Sequence, residues 1–432
     1  MRTIAQRILK SEGLIQSAQM VVGNNLATLI SAVALIMISR LLGPSMFGEF
    51  SVGISIAMIW TRFVDLGIST ALIKRASEST DQKRVNDLFS FTIKTKMITA
   101  VIMTLIGLFV VNQIMNLIEI GEEKIVYMGI ILSLATVAYD QLIVMLQSLG
   151  RFSQAIVVNF FQASLKLASV AVFFFTNISN PFLIFLVFAG IPIVPTLFSK
   201  MFIPSWIKID LSIQNKEVSK LIISLVKHTS IGIIALALIE NVSIIFVRGF
   251  MDAYDAGLLA GVSRISTFLL LVAGSLGNVL FVRVAKYKTK QHILAYTKKA
   301  TLFTFLILVS FITFIPFSKL MILYTIGPEY LSGNPILLIL AGASFISIAT
   351  VPLSALFYSF EKPTFFSVTG VIQAIIIIGG NWMFVPQYGL VASALATLTS
   401  RVVMFFMISI WGLSLVRQKF LSKKPIKNHL AP

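Results

Sequence analysis

Long apolar runs separated by short polar or basic segments repeat along the whole chain. Each run is long enough for a transmembrane helix, which needs about 20 apolar residues to cross the hydrocarbon core. The first run contains Asn24 and Asn25 and ends in Arg40-Leu-Leu-Gly-Pro44, so we interpret it as a retained span and not as a cleaved signal. The predicted spans are residues 17–39, 48–73, 91–111, 125–147, 156–176, 182–203, 222–247, 257–282, 300–323, 335–359, 364–385 and 389–416.

The composition agrees with this pattern and excludes a soluble protein. Hydrophobic residues make up 57% of the chain and charged residues 12%, whereas an average soluble chain is about 25% charged. Soluble enzymes, disordered proteins and coiled coils are therefore excluded. An outer-membrane β-barrel is disfavoured because its strands alternate over segments of about 10 residues. The chain has no cysteine and three scattered histidines, so we expect neither disulfides nor a metal site.

The net charge of +18 is distributed unevenly between the loops. Lys and Arg are concentrated in the loops of one side, while the loops of the other side carry Arg40, Lys124, Arg248 and Lys319. Cytoplasmic loops collect basic residues, so the charge indicates topology and not a nucleic-acid partner. We expect a multi-pass protein of the bacterial cytoplasmic (inner) membrane with both termini, including a basic C-terminal tail, in the cytoplasm.

A weak internal repeat relates residues 40–76 to residues 248–285 at an offset of 208 positions. The polar stretch from Trp206 to Lys220 separates the first six predicted helices from the last six. We therefore predict two six-helix halves, residues 1–210 and 211–432, in the same orientation around a central cavity. Substrate sites in such parallel repeats lie between the halves.

Several charged residues fall inside the predicted spans. A basic residue at bilayer depth costs about 2.5–3.5 kcal/mol on insertion scales, so these side chains are expected to face a wet cavity or a carboxylate. Lys94 and Lys96 begin a predicted helix and are expected to reach back to the membrane surface. The predicted cationic lining consists of Arg62, Lys166, Lys227, Arg264 and Arg401.

Three carboxylates at depth, Asp65, Asp140 and Glu240, are candidates for coupling to an ion gradient. Arg62 and Asp65 are spaced i, i+3 on one helix and are expected to pair. The five cations still outnumber the three carboxylates, which favours a site for an anion. Arginine suits a phosphate because its planar fork makes bidentate hydrogen bonds.

Uncharged polar residues in the spans are consistent with a cavity, although interhelical hydrogen bonding explains any one of them equally well. Pro192, Pro195 and Pro352 are expected to interrupt helices. The predicted polar lining is Asn24, Asn25, Gln147, Gln162 and Gln373, and Asn159 and Asn381 also lie in spans.

No motif for enzymatic chemistry occurs in the chain. GxxxxGK[ST] and HExxH are both absent, and we predict neither catalysis nor a cofactor. Energy is therefore expected to come from an ion gradient, from the gradient of the cargo, or from a partner.

The stretch from Ser39 to Phe50 (SRLLGPSMFGEF), followed by Asp65-Leu-Gly67, resembles the bacterial polysaccharide exporters (Wzx type) of the MOP flippase superfamily. The resemblance implies an all-α, MATE-like fold. It also implies a flippase that moves undecaprenyl-pyrophosphate-linked oligosaccharide repeat units to the outer leaflet by alternating access, for O-antigen, capsule or another surface polysaccharide.

In related flippases the second and eighth helices carry cationic cavity residues, which corresponds to Arg62 and Arg264 here. Peptidoglycan-precursor flippases tend to have arginine where this chain has Asn24 and Asn25, and usually have fourteen helices. The implied partners are the lipid-linked oligosaccharide and membrane lipids, with a polysaccharide polymerase and chain-length proteins as further candidates.

Two other functions remain open from the sequence. A drug or cation antiporter of the same superfamily would favour an acidic cavity. A membrane-embedded polysaccharide polymerase or ligase usually needs a sizeable outer loop, and the predicted outer loops are short.

Overall fold

A computed structural model describes residues 12–118, 123–212, 215–284, 290–359 and 364–421. Within these ranges all regular elements are helices, and short 3-10 turns occupy Ser199–Met201, Ile315–Phe317 and Pro328–Gly333. The predicted basic tail after Leu421 lies outside the described residues. In chain order the α-helices are α1 (Glu12–Asp65), α2 (Ile68–Ser77), α3 (Gln82–Ile118), α4 (Glu123–Ser148), α5 (Phe152–Phe175), α6 (Pro181–Gly190), α7 (Ile193–Leu197), α8 (Lys216–Phe250), α9 (Ala253–Val284), α10 (Lys290–Phe314), α11 (Ser318–Thr325), α12 (Asn334–Ser359) and α13 (Thr364–Leu421).

The described residues form eight helical stretches that are long and apolar enough to cross a membrane. Two of them, Gly23–Asp65 and Ser367–Gly412, are bent and each contains two predicted spans. The shorter apolar stretch Pro181–Leu197 and helix α9 correspond to two further predicted spans. The architecture therefore agrees with the prediction of an all-α protein with about twelve spans.

Glycine sets the bends in the two longest helices. Gly43 has φ 65° and ψ 173°, and Gly389 has φ 60° and ψ −145°, a left-handed φ that glycine adopts without a steric penalty. The predicted loop between the first two spans is thus helical except at Gly43. The bend also lets Pro44 begin a new helical limb, where its missing N–H is not needed.

The second predicted span, residues 48–73, is not one continuous helix. It breaks after Asp65, where Leu66 and Gly67 both have positive φ, and α2 then starts at Ile68. Pro192 separates α6 from α7 as expected, whereas Pro352 lies inside the continuous helix α12 and interrupts nothing.

The two predicted halves of the chain cross at a pair of glycines near the predicted outer end. A Cβ atom on Gly48 would lie 1.9 Å from the carbonyl oxygen of Ala253, and one on Gly257 would lie 1.7 Å from that of Pro44. Gly48 and Gly257 are 209 residues apart, as are Pro44 and Ala253, which is close to the repeat offset. The crossing therefore joins positions that the repeat makes equivalent, while the division at residue 210 stays a prediction.

The largest hydrophobic cluster surrounds this crossing. It packs Ile38, Phe47 and Phe50 of the N-terminal half against Leu258 and Tyr330 of the C-terminal half. All five side chains are almost fully buried. The core therefore closes the predicted outer end of the molecule.

Candidate functional site

A cavity of about 830 Å³ lies between the two predicted halves. Its wall includes residues of α1, α5, α8, α9 and α13. Leu35, Ile54, Leu259 and Leu340 line it and also belong to, or pack against, the hydrophobic cluster at the predicted outer end. That cluster is therefore the roof of the cavity.

Six of the eight predicted charged site residues lie on the cavity wall. They come from five helices that are far apart in sequence, so packing of the spans assembles the site. These residues are Arg62, Asp65, Lys166, Glu240, Arg264 and Arg401.

Asp65 is held in a buried ion pair. Its Oδ1 lies 2.8 Å from Nζ of Lys96, and the two side chains are 5% and 4% exposed. The carboxylate also accepts hydrogen bonds from the backbone N–H of Gly67 at 3.2 Å and from Oγ of Ser69 at 2.5 Å. Asp65 thus accepts hydrogen bonds from donors at the start of α2, which have no partner in a preceding helical turn because of the break at Leu66.

The expectation that Lys96 reaches back to the membrane surface is wrong. Helix α3 begins at Gln82, about 20 Å before Lys96 at 1.5 Å per residue, whereas the sequence pattern placed the helix start next to this lysine. Lys96 is therefore well inside the helix and pairs internally with Asp65.

The expected Arg62–Asp65 pair is replaced by a contact between helices. Nη1 of Arg62 donates to Oδ2 of Asp140 on α4 at 3.3 Å. The i, i+3 spacing allowed the intrahelical pair, but the helix ends at Asp65 and its carboxylate turns to α2 and Lys96. Asp140 is a partner of the cavity wall and does not line the cavity itself.

Three cations of the wall make no ion pair within the described residues. The Nε of Arg264 is buried without a hydrogen-bond partner there. Arg401 donates from Nη1 to Oε1 of the neutral Gln373 at 2.9 Å. Lys166 places Nζ 4.6 Å from the centre of the Phe188 ring, a cation–π contact. Glu240 lies on the same wall, and the cation of this group with which it interacts electrostatically is Arg401.

The polar residues of the wall form a hydrogen-bonded chain across three helices. The Tyr139 hydroxyl donates to Oδ1 of Asn159, and Nδ2 of Asn159 donates to Oδ1 of Asn24 at 2.8 Å. Gln162 lines the cavity one turn beyond Asn159. The sequence indicated Asn24, Asn159 and Gln162, but nothing in it identified Tyr139 or Lys96.

Four predicted lining residues lie elsewhere. Lys227 is exposed and precedes the apolar part of α8, which begins at Thr229. Gln373 is buried behind Arg401. Gln147 lies next to the end of α4 at Ser148, and Asn25, turned about 100° around the helix from Asn24, is outside the wall.

Solved structures with a similar architecture include transporters and a flippase. The chain is similar to a multidrug resistance MATE family transporter of the MOP superfamily in its inward-facing conformation, with a TM-score of 0.73, 14% identity and coverage of 92% of this chain and 96% of that chain. It is similar to the lipid II flippase MurJ in an inward closed conformation, with a TM-score of 0.69, 14% identity and coverage of 94% and 93%. An outward-facing MATE family transporter gives a TM-score of 0.57, 15% identity and coverage of 94% and 95%.

These similarities show that the chain shares the fold of these structures. A search of curated proteins finds no significant match. Residues 16–281, more than half of the chain, match the family described as polysaccharide biosynthesis protein. This multi-pass membrane protein therefore belongs to the polysaccharide biosynthesis protein family.

Proposed function

We propose that the protein is a flippase for undecaprenyl-pyrophosphate-linked oligosaccharide repeat units. It moves them from the cytoplasmic to the outer leaflet of the inner membrane by alternating access, for O-antigen, capsule or a similar surface polysaccharide. The observation that carries this proposal is the group of cations without ion-pair partners in the cavity.

The charge balance of the wall supports an anionic cargo. Two ion pairs, Asp65–Lys96 and Arg62–Asp140, neutralise themselves. The remaining Lys166, Arg264 and Arg401 share the wall with one carboxylate outside these two ion pairs, Glu240. The excess positive charge lies inside a membrane protein, where an unpaired cation is costly, so an anionic ligand stabilises it.

The chemistry of the arginines suits a pyrophosphate. Each guanidinium offers a planar fork of donors for bidentate contact with phosphate oxygens. The Oγ of Ser266, next to Arg264 along the wall, is also buried without a partner among the described residues and offers a further donor. A cleft between two halves leaves the polyprenyl tail in the lipid while the polar head occupies the cavity.

The alternatives fit the wall less well. A cation antiporter requires carboxylates that are free to hold its substrate, and here two of the three carboxylates at depth are already paired with Lys or Arg. A polymerase or ligase acts on assembled glycan outside the membrane, and the described connections at the predicted outer side, such as 176–180 and 251–252, are short. A polymerase and chain-length proteins are proposed as partners that use the flipped repeat unit.

The proposal is tested by substitutions at Arg264 and Arg401 in a strain whose own flippase is deleted. Surface glycan is measured relative to the amount of protein in the membrane. We expect Ala to abolish surface glycan at each position, and Lys to restore it in part because it keeps the charge and loses the fork. Arg84, which pairs with Glu217 at the surface, is the matched control, and Arg84→Ala should leave glycan unchanged.

Substitution of Arg264 by Gln distinguishes two roles of the arginine: a direct ligand of the phosphate, or a polar side chain that only hydrates the cavity. A ligand role requires Arg264→Gln to be much less active than Arg264→Lys. Normal surface glycan in the Ala variants of both arginines would overturn the anion-site proposal and favour the antiporter.

A further inference from the structure

Measured along their helices, the polar groups of the cavity fall into two groups at different distances from the predicted outer ends. At 1.5 Å per residue, Lys166, Arg264, Arg401 and Glu240 lie about 14–18 Å from the predicted outer ends of their helices or helical limbs. On the same scale, Asn24, Tyr139, Asn159 and Gln162 lie about 20–29 Å from those ends. The first group, nearer the roof, is the cationic layer, and the second, further from the roof, is the amide layer.

The amide layer is neutral because its neighbouring charges are paired. Arg62 and Asp65, which lie at the depth of the amides, form ion pairs with Asp140 and Lys96. The groups left to contact a ligand at this depth are therefore amides and hydroxyls, which exchange hydrogen bonds without a net charge.

The hydrogen-bonded chain fixes the direction of the amides. Because Tyr139 donates to Oδ1 of Asn159 and Asn159 donates to Oδ1 of Asn24, the Nδ2 group of Asn24 is the end of the chain. Its two N–H donors have no protein acceptor among the described residues, and Asn24 lines the cavity. The chain thus presents a preorganised donor to the cavity.

Gln162 adds an amide that no protein group satisfies within the described ranges. Asn159, Gln162 and Lys166 are spaced i, i+3 and i+7, so they share the face of α5 that lines the cavity. A primary amide supplies a donor and an acceptor side by side. Without a protein partner at bilayer depth, this amide needs water or a ligand.

We propose that the amide layer, Asn24, Asn159 and Gln162 with Tyr139 as their positioning residue, is the glycan subsite of the cavity. Sugar hydroxyl and acetamido groups are donors and acceptors of the kind that such amides bind. The inference rests on the proposed flippase function and assigns the two parts of its cargo: the pyrophosphate contacts the cationic layer, and the sugars contact the amide layer on the predicted cytoplasmic side.

The test compares two lipids on the full-length protein in nanodiscs. One is undecaprenyl pyrophosphate, and the other is the undecaprenyl-pyrophosphate-linked oligosaccharide extracted from the bacterium that encodes the protein. The affinity of each lipid is measured by titration, and the preference is the ratio of the two affinities. We expect the wild type to prefer the glycosylated lipid.

Gln162→Ala is the primary variant because Gln162 makes no protein hydrogen bond in the described structure, so the substitution breaks none. We expect the preference to fall by about three- to tenfold, the effect of one or two hydrogen bonds, with the affinity for undecaprenyl pyrophosphate unchanged. Gln154→Ala is the matched control, since Gln154 is an amide of the same helix that bonds Arg151 away from the cavity, and it should not change the preference.

Tyr139→Phe tests the positioning role while keeping the ring. It should lower the preference by a smaller factor than Gln162→Ala. Arg264→Ala should lower the affinity for both lipids by the same factor, so the preference should stay unchanged. An unchanged preference in Gln162→Ala, including an equal loss of affinity for both lipids, would overturn the glycan subsite. Failure of the wild type to bind either lipid would overturn the proposed function itself.

Discussion

Arg248 and Glu49 join the two predicted halves of the chain through a buried contact at the predicted outer end. Nε of Arg248 donates to Oε1 of Glu49 at 2.8 Å, and both side chains are 13% exposed. Arg40 makes the complementary connection, since its guanidinium donates to the carbonyl oxygens of Leu323, Tyr324 and Thr325 at the end of α11. These two arginines hold the closed side of the cavity.

Loosening the Arg248–Glu49 contact should open the predicted outer side. Glu49→Gln leaves the buried guanidinium without its counter-charge, which destabilises the closed arrangement. The natural chain has no cysteine, so Ser31→Cys in the cavity wall gives a single reactive thiol. We expect an impermeant thiol reagent added from outside to label this cysteine several times faster in Glu49→Gln.

The control for that measurement is Glu217→Gln, which removes a partner of the surface pair with Arg84. Its labelling rate should equal that of the parent. Equal rates in Glu49→Gln and the parent would show that the Arg248–Glu49 pair does not hold the closed side.

Gly257→Ala should destabilise the crossing. The added methyl would lie 1.7 Å from the Pro44 carbonyl oxygen, which is backbone and cannot rotate away. Such overpacking costs about 1–3 kcal/mol, so the melting temperature of the purified protein should fall by several degrees. Gly274→Ala, in the same helix with open space around the glycine, should leave it unchanged or raise it slightly, and a similar fall in both variants would contradict the close approach.

Asp65 and Lys96 should behave as a structural pair. Asp65→Asn or Lys96→Met alone leaves a buried charge uncompensated, which costs about 3–5 kcal/mol. We expect low membrane levels of each single variant and recovery in the double variant. Recovery of both protein and transport in the double variant would remove Asp65 from the set of ion-coupling residues.

Glu240 is then the carboxylate to test for coupling. It lines the cavity and makes no ion pair within the described part of the chain. If a proton or sodium gradient drives transport, Glu240→Gln should give a transport rate that no longer responds to collapse of that gradient. Transport in vesicles with and without an ionophore measures this, and a full ionophore response in Glu240→Gln would exclude the residue.

The predicted topology needs a direct measurement. Reporter fusions at Lys290 should report the cytoplasm, and fusions at Lys124 should report the outer side. The expectation follows from the concentration of Lys and Arg on one side of the predicted spans. The opposite result at one position would contradict the number of predicted spans and the repeat, and the opposite result at both would invert the orientation.

Much of the architecture was predictable because the apolar runs and the basic loops act over long stretches. The sequence also indicated which buried charges face the cavity, since a cation at bilayer depth needs water or a partner. Arg264 and Arg401 were found in this way. Their depth in the spans was the whole signal, and no motif was needed.

The partners of those charges were not predictable. Arg62 and Asp140 are 78 positions apart, and their contact depends on how α1 and α4 pack. Lys96 was missed because α3 extends well before its apolar stretch, and Lys227 was wrongly included because α8 does the same. When a helix continues beyond its apolar run, the ends of that run no longer mark the ends of the helix. The position of a charged residue within the run then does not give its depth in the structure.

The glycine crossing at Gly48 and Gly257 has a mechanical consequence. The two backbones themselves bury little apolar surface where they touch, so the hydrophobic free energy of the closed form comes from the side chains packed around the crossing. The glycine contact therefore sets how closely the two helices approach, and the surrounding side chains hold them together. Arg248 with Glu49 and Tyr330 with Phe47 add polar and aromatic contacts between the halves. Because none of these four residues lines the cavity, single substitutions there should change the stability of the closed form without changing the cavity wall.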